Sequence, residues 1–177
     1  MIDSILLYAA PILGSVARKG YVRRILDKTQ RTAAIRVARA NRTVSTAALQ
    51  VLSRSLPYDL RIKEQTALYA YTEWTRRPEE RIDDPEPQLI PREHLIAEWQ
   101  SRWETVTEGS PGYWTRTLLP DISKWQEATH GSSTYPLAQF LTGHGSFMSY
   151  LHTIGKVPFN LCLLCSPHPS ASAAVND

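Results

Sequence analysis

The chain has 177 residues, 42% of them hydrophobic, with five tryptophans and two cysteines. That is enough apolar material for a sizeable core, and it excludes both a disordered chain and a disulfide-built secreted scaffold. The net charge is only +3, yet residues 18–63 carry twelve Lys or Arg against Asp27 and Asp59 alone, +10 in 46 residues, while the rest of the chain sums to −7; such an asymmetry points to a polyanion at the basic end, most simply nucleic acid.

In chain order, MIDSILLYAAPILGSVARKG opens with an apolar run. It reads as a first buried helix and not as a signal or membrane anchor. The basic pair Arg18-Lys19 follows the run instead of preceding it, and Pro11 and Gly14 interrupt it.

Residues 21–40 predict a helix with an apolar stripe of Val22, Ile25, Leu26, Ala33, Val37 and Ala40. Arg23, Arg24, Lys28, Arg31 and Arg39 fall largely off that stripe. With Arg36 and Arg42 they are candidate phosphate contacts, which position a nucleic acid without reading its sequence. The plain alternative is a solvated surface helix. Ser45 is placed to cap a second helix, TAALQVLSRSL, which Pro57 ends. A third helix runs from about Tyr58 to Arg76.

Residues 78–91, PEERIDDPEPQLIP, then read as an acidic, proline-rich linker. The adjacent Asp83 and Asp84 resemble a catalytic carboxylate pair only superficially, because no apolar strand flanks them and prolines follow at once. Beyond the linker, REHLIAEWQSRWETV is amphipathic, with Leu95, Ile96, Trp99, Trp103 and Val106 on one face. These tryptophans are read as core, not as a base-stacking platform. GSPGY is a turn, and Pro120 and Asp121 split the following helical pattern into two short pieces. A further helix ends near Gly143, and another starts near Ser146 and is closed by Gly155.

No period-two pattern persists. The fold expected is all-α, an irregular helical bundle in two clusters joined by the acidic Pro-rich linker. The divisions are a basic helical region at 1–77, the linker at 78–91, a C-terminal helical region at 92–160 and a tail at 161–177.

Nucleophilic and phosphate-loop chemistry finds no support, since neither a G-x-S-x-G elbow nor a P-loop occurs. His144 between two glycines reads as structural, donating to a backbone carbonyl, although His152 lies eight residues on. Cys162 and Cys165 have the C-x₂-C spacing of a zinc knuckle, and His168 is a candidate third ligand. Zinc needs four ligands, so this set is incomplete, and two free thiols are the expected state; no other cofactor is implied.

The strings SILLYAAPILG, KTQRTAAIRVARANRTVSTAALQVLSRSLPYDLRIKEQ, LLPDISKWQEATHGSSTYPLAQFLTGHGSFMSYLHTIGK and NLCLLC, in this order, carry a family resemblance. The chain resembles the C-terminal part of non-LTR (LINE-type) retrotransposon reverse transcriptases of insects and other arthropods, above all elements that insert into ribosomal genes or telomeric repeats. The resemblance implies that residues 5–77 are thumb-like helices that grip a primer–template duplex. It implies that the catalytic palm with its aspartates lies earlier in such proteins, so that the chain is a polymerase fragment and not itself an enzyme. It further implies that Cys162 and Cys165 match the first half of a CCHC knuckle, whereas His168 comes too soon and the third cysteine is missing. The partners implied are RNA or DNA, duplex or hybrid, and the remainder of a retrotransposon polymerase, inside the cell and without a membrane. A relic without a role, or a domesticated protein-interaction module, are the alternatives.

Overall fold

A computed structural model describes residues 2–17, 19–77, 85–128 and 134–161. Among these residues the chain is all-α, without a strand. The helices are α1 (Ile2–Tyr8), α2 (Ala10–Leu13), α3 (Gly20–Ala38), α4 (Thr46–Leu52), α5 (Tyr58–Arg76), α6 (Arg92–Glu104), α7 (Tyr113–Leu118), α8 (Ile122–Glu127), α9 (Tyr135–Thr142) and α10 (Met148–Thr153). None of them is long and apolar enough to cross a membrane. The segment expected as a linker falls partly outside the described residues, and residues 85–91 of it are non-helical.

The caps are local and legible. Ser45 Oγ accepts from the Ala48 amide at 3.2 Å, Asp121 Oδ1 from the Lys124 amide at 3.0 Å, and Thr134 Oγ1 from the Leu137 amide at 3.4 Å. α4 stops at Leu52, four residues before its expected end, because Arg54 adopts a left-handed conformation with φ 53°.

The principal core draws on both sides of residues 78–91. Ala34, Ala38, Leu49, Leu52, Leu56 and Leu60 pack with Leu95, Trp99, Trp103, Ile122 and Leu141. Burying one Trp or Leu side chain stabilises by about 1.5–3 kcal/mol or more, so this shared cluster is the main adhesive between the two halves. Trp103 Nε1 donates to the Leu119 carbonyl at 2.8 Å, and Trp125 Nε1 to the Val51 carbonyl at 2.8 Å, which satisfies the polar end of the buried Trp103 ring and of the partly buried Trp125 ring.

A second cluster of Ala10, Ala17, Leu26, Tyr58 and Ile62 seats α2 on α5. Gly14 permits that approach, since a Cβ there would come within 2.5 Å of Thr66 Oγ1. The apolar N-terminal segment is less buried than expected: Ile5 and Tyr8 of α1 and Ile12 of α2 are exposed.

The stripe on α3 also differs from the expected one. Leu26, Gln30, Ala34 and Ala38 form the buried line, whereas Ile25 and Val37 are 60% and 62% exposed. A polar side chain occupies a core position, and two apolar ones face outward. The cause lies in what Gln30 bonds to.

Candidate nucleic-acid interface

The side of α3 away from the core carries Arg24, Lys28, Thr32 and Arg36, spaced four residues apart and all exposed. Residues four apart stand one above another, about 6 Å apart along the axis, so their side chains form a single ridge. Arg39 and Arg42 extend it through the turn that follows and are also exposed. Arg39 sits in the left-handed region with φ 52°, its amide donating back to the last carbonyls of α3. Among the described residues no carboxylate forms a salt bridge with any of these five cations.

The other two candidate cations are braces. Arg31 is half-buried, and its guanidinium donates to Thr46 Oγ1 at 3.2 Å and to the Arg42 carbonyl at 2.5 Å. It therefore ties α3 to the turn that presents Arg39 and Arg42. Arg23 lies 3.9 Å from Asp59. Asp59 is gripped more closely by Arg102 at 2.7 Å, Arg102 pairs with Glu98 at 2.6 Å, and Lys63 with Glu98 at 2.8 Å. Burial works against the charge on Glu98, but hydrogen bonds from Lys63 and Arg102 outweigh it and hold the carboxyl below its ordinary value. This chain of charges links α3, α5 and α6, so part of the basic excess is spent on structure.

The chain is 31% identical, over 92% of its length, to the 115 kDa protein of type-1 retrotransposable element R1DM of Drosophila melanogaster. It is 28% identical, over 91% of its length, to the retrovirus-related Pol polyprotein of element R1 of Bradysia coprophila. Over 80% of its length it is 28% identical to the corresponding polyprotein of element R1 4 of Nasonia vitripennis. The homologues of this chain are R1 non-LTR retrotransposon Pol polyproteins of arthropods. The chain spans only 17% of the first two relatives and 38% of the third. No family model matches it, and no solved structure does.

In this R1-related chain Cys162, Cys165 and His168 lie outside the described residues, as do Asp83 and Asp84. His144 is described: its Nδ1 donates to the Thr142 carbonyl at 2.7 Å, the structural role expected of it. Two features were not anticipated. Arg54, Arg61 and Arg92 line a cleft of about 380 Å³ beside Ala33 and Val37, where Arg92 is neutralised by Glu64 at 2.8 Å. Arg54 also lies over the Trp125 ring, 5.1 Å from its centroid.

The second is a buried polar network behind the ridge. Gln30 is 1% exposed; its Nε2 donates to Ser55 Oγ at 3.0 Å and to the Leu56 carbonyl at 2.8 Å. Its Oε1 accepts from Gln50 Nε2 at 2.9 Å and from the Tyr58 amide at 3.2 Å. Gln50 Nε2 also reaches Asp27 Oδ1 at 3.1 Å. Desolvation raises the Asp27 carboxyl above its ordinary 3.8, more than Arg23 and Gln50 lower it. The folded state thus binds the Asp27 proton more tightly than the unfolded chain, and stability falls as pH rises through that window. Asp27→Asn keeps the acceptor for Gln50 and removes the charge. Its expected effect is a higher thermal midpoint at pH 7, with the gain over the parent shrinking as pH falls toward 3.8. Parallel melting curves at several pH values read this directly; a lower midpoint at pH 7 would show that the Arg23 attraction dominates instead.

Proposed function

We propose that this chain binds RNA, DNA or their hybrid without sequence preference, through the α3 ridge and the turn after it. On this reading it is a thumb-like part of an R1-type polyprotein, which grips nucleic acid while polymerisation belongs to residues elsewhere in such proteins. The observation that carries it is the run of Arg24, Lys28, Arg36, Arg39 and Arg42, exposed and outside any salt bridge among the described residues. Cations left unneutralised on one ridge cost stability through mutual repulsion unless something outside the chain neutralises them. A phosphate backbone does so, and releases condensed counterions as it binds.

The structure of the ridge supports a backbone-directed contact. Arg24 and Lys28 stand about 6 Å apart along the helix and Arg36 about 12 Å further on, spacings at which cations can follow the phosphates of a backbone. The test is salt titration of binding to a short duplex or hybrid by filter retention. With five phosphate contacts the slope of log K against log salt is expected to be about −4.5, and unrelated sequences should bind alike. Absence of retention at low salt would sink the proposal.

A further inference from the structure

The C-terminal helices carry aromatic rings that the core does not use, and they border the basic turn. Trp114, Phe140 and Phe147 are 51%, 48% and 40% exposed. Trp114 is held rigidly: its Nε1 donates to the Phe140 carbonyl at 2.9 Å, and its ring lies flat enough on Gly143 that a Cβ there would come 3.1 Å from Trp114 Cδ1. Gly143 also has φ +68°, so both its conformation and its missing side chain are needed for the ring to sit there. Phe140 and Phe147 stand 6.4 Å apart, tilted by 54°, and His144 packs against Tyr150 at 4.8 Å.

Two contacts join this aromatic surface to the end of the basic ridge. Tyr150 Oη lies 3.5 Å from Thr43 Oγ1, one residue after Arg42. The turn leading into α7 meets the cap of α4, where a Cβ on Gly112 would come 2.5 Å from Ser45 Oγ. The segments that carry these rings thus touch Thr43 and Ser45, in the stretch that directly follows Arg39 and Arg42. Exposed apolar rings beside unpaired cations match an unpaired strand: the cations track its phosphates and each ring face stacks on a base, whatever the base. A duplex keeps its bases stacked inside and leaves the rings unused.

We infer that the surface formed by Arg39, Arg42, Trp114, Phe140 and Phe147 holds single-stranded nucleic acid, next to the ridge that grips the backbone. This rests on the proposed nucleic-acid binding and sharpens it to a substrate class. Fluorescence anisotropy with an oligothymidine of about 20 nucleotides, and with a blunt duplex of the same length, tests it. The single strand is expected to bind more tightly at matched salt. Phe147→Ala and Trp114→Ala should each weaken single-strand binding by about 5- to 100-fold and duplex binding by less than about twofold, while Phe147→Tyr should retain the parent affinity. A duplex bound as well as the single strand, or equal losses on both, overturns this inference and leaves the ridge reading standing. Failure to bind either nucleic acid overturns both.

Discussion

Reversing the charge at Arg24, Lys28 and Arg36 together is expected to lower nucleic-acid affinity by at least about a hundredfold at moderate salt and to flatten the salt slope by about 3. The three positions follow from the structure. They stand on one exposed ridge, and none forms a salt bridge within the described residues. Arg31 and Arg23 are poor choices, although sequence alone ranks them equally. Reversing Arg31 would remove its hydrogen bonds to Thr46 and to the Arg42 carbonyl, and reversing Arg23 would set a carboxylate against Asp59. Loss of binding in either variant would not separate a broken interface from a broken fold. On the ridge the thermal midpoint should stay within a few degrees of the parent, since substitutions at exposed sites without partners are worth about ±0.5 kcal/mol. Anisotropy and melting curves on the same preparation decide it. Undiminished affinity with an unchanged slope would mean that the polyanion binds elsewhere, Arg54 at the cleft beside Val37 being the next residue to change.

Much of this architecture is legible in the sequence because its signals are local. Ser45 and Asp121 cap the helices they precede, and Gly143, with φ 68°, ends α9. Trp99 and Trp103 are buried as their spacing requires. What the sequence hides is non-local. Nothing near Leu60 announces that it packs with Leu95 and Trp99 across the acidic segment, nor that Asp59 is claimed by Arg102. The same holds for the interface. Charge density identifies the basic region, but which cations are free depends on partners tens of residues away, such as Asp59 for Arg23. Trp114 follows the turn at GSPGY with nothing in the local pattern to mark its side chain as 51% exposed; it is held there by packing on Gly143, 29 residues away.

Gln30→Leu is expected to destabilise the protein by about 2–4 kcal/mol, although it places an apolar side chain of similar size in a buried helix line. Hydropathy argues for the opposite sign, because Leu26, Ala34 and Ala38 share that line with Gln30. The reason lies at the start of α5. Pro57 precedes that helix and provides no side-chain cap, so the Tyr58 amide uses Gln30 Oε1, 28 residues away, as its acceptor. The same carboxamide donates to the Leu56 carbonyl and accepts from Gln50. Leucine withdraws all of these partners at once, inside a site from which water is excluded, and each polar group left unmet there costs about 1–3 kcal/mol. Val37→Gln is the complementary change. Val37 is 62% exposed, so a polar side chain there loses little burial, and glutamine is the better helix former. Its midpoint should match or slightly exceed the parent. Chemical denaturation of the two variants therefore separates a core defined by hydrogen bonding from one defined by an apolar stripe. If Gln30→Leu raised stability while Val37→Gln lowered it, the stripe read from periodicity would be the true buried face of α3, and Arg24, Lys28 and Arg36 would no longer share a free ridge.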